Sequence, residues 1–372
     1  GAVFWMWVIA LLGSATAFVE STLAQLYKRK TQGSFIGGPA YYMKFGRRKP
    51  RMAKLYAVLI TVTFCMAYIS IQSNTICAAA DKAFGVPPLV MGLILVVLST
   101  LCVFGGIGRI AKVSSVIVPV MAILYVVLAV VIILMNLRLI PHVFAVILSN
   151  AFGLQQFAGG TLGATMMNGI KRGLFSNEAG EGSAACAASI ASVSHPVKQG
   201  LVQALSVFTD TLLICSCTAF IILISGVFTT PGLNGVQLTQ MALQSEIGPI
   251  GTQFVAIAIF FFAFSSIIGN YTYGEMNVKF LTARKGWLTF VRVMNGVVMV
   301  FFGSLASLDL VWSLGDLFMG SITLCNLVAI VKLSPQACFL LNDYRQQKRN
   351  GIKSPVFHRS QMPDKKKDIE AW

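Results

Sequence analysis

Ser265 and Ser266 stand side by side in an otherwise apolar and aromatic run, FFFAFSSIIG. With the carbonyl of Phe262 on the same helix face, two hydroxyls offer the oxygen ligands that a hard cation such as sodium takes. A hydroxyl also bonds back readily to its own helix, so the spacing leaves both readings open. The same choice attaches to Glu20, Gln72, Asn74, Asp210, Asn270, Asp316 and Asn326, each set among apolar residues. Polar groups at membrane depth are costly and face a cavity or one another. For any single one, hydrogen bonding between helices is the plainer account. Asp210 and Asp316 are candidate coupling groups, proton carriers or buried partners of hydroxyls. Trp312 belongs to an interfacial belt or caps a pocket.

The elements that must position these residues are membrane helices. Of the 372 residues, 56% are hydrophobic and 11% charged, and the mean hydropathy is +0.75. A soluble domain is about a quarter charged. The fold class is therefore an all-α polytopic membrane protein with about nine spans, each needing about 20 apolar residues. They fall near 3–26, 56–80, 88–104, 113–135, 141–175, 200–226, 252–273, 288–306 and 310–333. The fifth is interrupted. Gly153, Gly159, Gly160 and Gly163 crowd its middle, with Gln155 and Gln156 between them. Unwound backbone at membrane depth must be buried in protein or line a cavity, and such a break points to a transporter's binding site. Glycines that serve only close packing are the competing account.

The net charge of +16 does not point to nucleic acid. With alternate loops assigned to one side, all of the 29 Lys and Arg except Lys82 and Arg138 collect there. That side, with the C-terminus, is expected to be cytoplasmic, in a multi-pass protein of the cell inner (plasma) membrane. The 8 cysteines form no CxxC pair and the 3 histidines no cluster, so no metal or disulfide frame is expected. HExxH and GxSxG are absent, which argues against an intramembrane enzyme. The chain opens on GAVFWMWVIALLG, with no initiator Met and no basic n-region; N-terminal truncation is expected.

KRGLFSNEAGEGSA closes the second half of the broken helix. Lys171 and Arg172 suit a cytoplasmic helix end, and Ser176 or Asn177 a cap. This block and SHPVKQGLVQALSVFTDTLLICSCTA closely resemble the sodium/alanine symporter family, the alanine or glycine:cation symporters. GGPAYYM, the QSN at 72–74 and LVWSLGDLF also match it.

The resemblance implies a leucine-transporter-like fold: two inverted repeats, the first helix of each broken at mid-membrane. By the resemblance the first core helix would be missing from this sequence, so 3–26 would be the second and 141–175 the sixth. A membrane transport domain would occupy 1–341, with the rest of the first repeat in 1–137 and the second repeat in 138–341. Residues 342–372 would form a basic, flexible cytoplasmic tail. The resemblance also implies symport of a small neutral amino acid, alanine or glycine, with sodium, by alternating access. A secondary transporter coupled to protons is the alternative. Substrate contacts would come from Gln72, Asn74, Phe152, Gly153 and Trp312, and sodium ligands from Phe262, Ser265 and Ser266. A monomer in the lipid bilayer is expected.

Overall fold

In the computed structural model, residues 1–31, 34–105, 107–152, 161–362 and 368–372 are described. The chain opens with α1, Ala2–Leu26. A two-stranded antiparallel hairpin follows, β1 (Arg29–Thr31) and β2 (Ser34–Ile36), with Lys30 opposite Phe35. The helices after it are α2 Pro50–Phe84, α3 Pro88–Gly105, α4 Ile107–Met135, α5 Ile140–Phe152 and α6 Thr161–Asn177. Next come α7 Ser183–Ile190, α8 Pro196–Ser225, α9 Val236–Ile247 and α10 Pro249–Leu281. The last are α11 Lys285–Leu305 and α12 Leu308–Arg349.

Seven of the described helices are long and apolar enough to cross a membrane, and two shorter apolar helices, Pro88–Phe104 and Leu137–Phe152, accompany them. Leu89, Leu93, Val97 and Leu101 repeat every four residues along α3 and are all exposed. Leu95, Ser99 and Cys102 on its other side are buried. An apolar stripe left uncovered outside a polar-lined core is the pattern that lipid favours.

Helix contacts are close because small residues permit them. α1 packs on α6 and α8. A Cβ added at Gly169 would meet Trp5 and the Ala2 carbonyl, and one at Gly173 would meet Ile9. This four-residue glycine spacing lets two helix backbones approach. α2 packs on α10 and α11, and α12 leans on α1 and α2. Three of the long helices contain a wide π turn, at Thr63–Tyr68, Phe208–Cys215 and Met294–Met299. Such turns free backbone groups and recur at functional sites.

The largest fully buried side chains are five tyrosines, Tyr27, Tyr42, Tyr56, Tyr68 and Tyr271. Each hydroxyl has a partner. Tyr27 donates to Gln336 Oε1 at 2.6 Å, and Tyr271 Oη accepts from Arg292 Nε at 3.1 Å. Buried rings with a satisfied polar end add area without an orphaned group.

The C-terminal segment departs from the expected flexible tail. Its first part continues α12 to Arg349. Beyond it, Phe357, Met362 and Ile369 are buried in the core. Trp372 Nε1 donates to the Gln25 carbonyl at 2.8 Å, and Arg29 pairs with Glu370 at 2.7 Å. Four apolar anchors dispersed among many charges make the segment look solvated in sequence, whereas burial is decided by the anchors.

Candidate functional site

A cavity of about 660 Å³ opens between α2, α4, α8, α10 and α12, under the segment leading into α9. Asn74, Phe262 and Trp312 line it, with Tyr125, Thr218 and Gln237. Three residues singled out in the sequence, far apart along the chain, thus share one wall. Asn74 is held rigidly: its amide Nδ2 donates to the carbonyls of Gly303 at 3.0 Å and Ala306 at 2.8 Å, where α11 ends. The Tyr125 and Thr218 hydroxyls share a hydrogen bond of 2.7 Å across α4 and α8.

Ser265 Oγ and Ser266 Oγ both donate to the Phe262 carbonyl, at 2.8 and 3.1 Å. The three groups proposed for the cation therefore converge on one oxygen, in the helix-bonded geometry that hydroxyls adopt without a ligand. Gln72 is half-buried and lies off the cavity wall. At 3.6 residues per turn, a residue two before Asn74 points to the opposite side of α2. Phe152 ends α5 exposed and packs edge-on against Phe4, ring centroids 4.7 Å apart. Gly153, Gly159 and Gly160, with Gln155 and Gln156, lie outside the described residues, whereas Gly163 falls in the first turn of α6.

Behind Trp312 is a feature that sequence reasoning missed. The Phe175 ring lies 4.7 Å from that of Trp312, and Arg172 Cζ stands 4.4 Å over the indole. Arg172 Nη2 also pairs with Asp316 Oδ1, and Lys171 Nζ with Asp316 Oδ2 at 3.2 Å. Lys171 and Arg172 are therefore not free cations at a helix end. They tie α6 to α12 at Asp316, about two turns into that helix, and a cation over an indole face is attracted by the ring quadrupole. The clue was present: Trp312 and Asp316 are four residues apart, on one helix face.

The turn between α6 and α7 is the second polar centre. Ser176 Oγ donates to Asp210 Oδ2 in the π turn of α8, and Asn177 Oδ1 accepts from the Ala179 N–H at 3.0 Å. Glu178 adopts φ 52, a left-handed conformation unusual for a non-glycine residue. The Gly180 N–H donates to Glu20 Oε1 at 3.3 Å, and Asn326 Nδ2 to Glu20 Oε2 at 3.0 Å and to the Gly180 carbonyl at 2.9 Å. Tyr56 Oη donates to the Glu181 carbonyl at 2.6 Å and Tyr68 Oη to Glu181 Oε2 at 2.8 Å. Burial, reinforced by the charge of Asp210 against the pull of Ser183, raises the Glu178 carboxyl to about 7. Burial first, then Glu178 and Glu20, pushes Glu181 well above the usual range despite its Tyr68 bond.

Comparison with known proteins decides the family. The sequence pattern of the sodium:alanine symporter family matches residues 1–359. The chain belongs to the sodium:alanine symporter family. It is 50% identical over 372 residues to the probable sodium/glutamine symporter GlnT of Bacillus subtilis (strain 168), covering 100% of this chain and 77% of that protein. To the amino-acid carrier protein AlsT of the same organism it is 47% identical over 372 residues, 100% of this chain and 79% of the relative. The putative sodium/proton-dependent alanine carrier protein YrbD, also from that strain, is 43% identical over 372 residues, 96% of this chain and 77% of its own. Membership of the family places the chain among multi-pass membrane proteins of cation-coupled amino-acid symport.

Proposed function

We propose that this symporter couples sodium to the inward transport of a small neutral amino acid, alanine or glycine, across the plasma membrane by alternating access. The cavity carries the reading, because Asn74, Phe262 and Trp312 meet on it from three helices. Asn74 and Trp312 border the substrate, with Gln72, Phe152 and Gly153 completing its contacts as the flanking helices move. The Phe262 carbonyl, Ser265 and Ser266 give up their mutual hydrogen bonds to face sodium. The helices form a leucine-transporter-like inverted repeat of about nine spans. The side gathering the basic loops and the C-terminus faces the cytoplasm. Coupling is reciprocal: sodium raises amino-acid affinity by the factor through which the amino acid raises that of sodium.

Two other substrates or ions have specific support. A relative at 50% identity is named for glutamine, and the cavity of about 660 Å³, with Gln237 on its wall, exceeds what alanine needs. A relative at 43% identity is named for sodium and protons together. The deciding experiment is uptake of radiolabelled alanine, glycine and glutamine into proteoliposomes, driven by a sodium gradient or a proton gradient alone. Alanine or glycine accumulation that requires sodium supports the proposal. Uptake driven by protons without sodium, or of glutamine alone, overturns it.

A further inference from the structure

Three carboxylates, Glu20, Glu178 and Glu181, come together where the turn after α6 meets α1, α2 and α12. Glu20 and Glu181 are fully buried. Among the described residues, the ion pairs engage other carboxylates and leave these three without a cation. No group of described His, Cys, Asp or Glu is arranged to hold a metal ion. Several buried anions in one low-dielectric region repel strongly, and a proton is the smallest charge that relieves them.

The hydrogen bonds show where that proton sits. Asn326 Nδ2 donates to the Gly180 carbonyl, which can only accept, and this fixes the direction of the amide, leaving Oδ1 to accept from Tyr42 Oη. Asn326 must then present its N–H₂ to Glu20 Oε2, while the Gly180 N–H takes Glu20 Oε1. Both oxygens of Glu20 face donors that cannot accept, which is the environment of an ionised carboxylate. Glu181 differs. Its Oε2 accepts from Tyr68, but its Oε1 is buried with no hydrogen-bond partner among the described residues. Thr323 on α12 packs its methyl group against Gly180, and its buried hydroxyl has no partner among the described residues. A bare buried oxygen is a poor seat for charge and a good one for a hydrogen.

We propose that Glu181 is a proton-binding site: Oε1 holds an exchangeable proton, Glu20 stays ionised, and symport responds to pH through it. An O–H bond forms at Oε1 with a proton from water and breaks when that proton returns to water. The groups around it come from every packed element. Glu20 stands on α1, Tyr56 and Tyr68 on α2, Tyr42 after the hairpin and Asn326 on α12. Glu178 precedes it in the turn, with Asp210 of α8, Cys186 of α7, Tyr273 of α10 and Asp316 of α12 further out. None of these is a cation, and of these groups the Tyr68 hydroxyl, which donates to Oε2, is the one that favours the ionised form.

The test is infrared spectroscopy of the protein in proteoliposomes, with a pH titration and exchange into D₂O. Wild type is expected to show the carbonyl stretch of a buried, protonated carboxylic acid at mildly alkaline pH, where Glu178, at about 7, has lost its proton, and the band should shift in D₂O. Glu181→Gln should lose that band, and Tyr68→Phe should keep it at a shifted frequency, because one hydrogen bond to the acid is gone. Absence of the band from wild type overturns the site, as does its persistence in Glu181→Gln. If Glu181→Gln does not fold, an unshifted band in Tyr68→Phe overturns the site instead. The second arm rests on the symport reading: amino-acid uptake by wild type should fall as alkaline pH strips the proton, and uptake by Glu181→Gln should not vary with pH. A parallel pH profile in both rejects the functional link. Sodium dependence, measured in the same vesicles, fails or holds independently of the band.

Discussion

Asn326 on α12 donates to Glu20 on α1 at 3.0 Å and to the Gly180 carbonyl at 2.9 Å, so one amide joins two long helices to the turn between α6 and α7. The same side chain accepts from Tyr42. Four segments distant in sequence thus depend on one buried group with both its N–H donors and its carbonyl oxygen engaged, which makes it a stiff junction rather than a sliding contact.

Asn326→Leu should therefore be costly. It strands an oxygen of Glu20, the Gly180 carbonyl and the Tyr42 hydroxyl, and each orphaned buried polar group costs about 1–3 kcal/mol. Relaxation absorbs part of this, so a net loss of about 3 kcal/mol is expected. Thermal unfolding in detergent should show a clear drop in Tm. A Tm equal to that of wild type would mean that the junction carries no stability.

The Glu178 carboxyl sets a pH dependence of the opposite sign to the usual acid. The turn holding it lies outside the seven long spans, and burial raises its pKa from 4.5 to about 7. The folded state thus binds more protons than the unfolded one between these values. Its stabilising contribution is fully present below 4.5 and is lost as pH rises through about 7. Tm should decline from mildly acidic to mildly alkaline pH, and Glu178→Gln should flatten that decline. An unchanged slope in the variant would assign the effect to another group.

Ser265→Ala combined with Ser266→Ala removes both hydroxyls that bond to the Phe262 carbonyl. An isolated back-bonded hydroxyl contributes little to a helix, so folding should survive. If the pair faces sodium during transport, the sodium concentration for half-maximal uptake should rise about tenfold or more, since 1.4 kcal/mol is a factor of ten. Uptake with unaltered sodium dependence would remove the cation from this position.

The sequence made the membrane class and most helix positions legible, because apolar run length and charge asymmetry are local signals. It also marked which polar residues mattered without saying to whom. Glu20, Asp210, Asp316 and Asn326 were each a costly group in an apolar run. Their partners Gly180, Ser176, Arg172 and Tyr42 come from other segments of the chain, and pair choice is a property of packing. Gln72 and Asn74 looked equivalent in QSN, and helix phase alone separates them: Asn74 borders the cavity and Gln72 does not. The C-terminal segment misled through composition, because its charges outnumber the few residues that dock it.

That segment offers the last test. Glu370 pairs with Arg29 at 2.7 Å, Asp368 with Arg48 at 3.4 Å, and Trp372 packs on Phe357 with ring centroids 5.6 Å apart. The Glu370 carboxyl is held below its ordinary 4.5, chiefly by its hydrogen bond to Arg29. An acid with a depressed pKa lends stability above its unfolded value and loses it as pH falls through the folded one. The exposed pair alone is weak and screened by salt, so the aromatic anchor should dominate. Trp372→Ala loses the indole contact with Phe357 and the hydrogen bond to the Gln25 carbonyl. Limited proteolysis with trypsin should then cut after Lys353 or Arg359 several-fold faster than in wild type, whereas Glu370→Gln should raise the rate only slightly. Equal cleavage rates in wild type and Trp372→Ala would show that the segment is open before the anchor is removed.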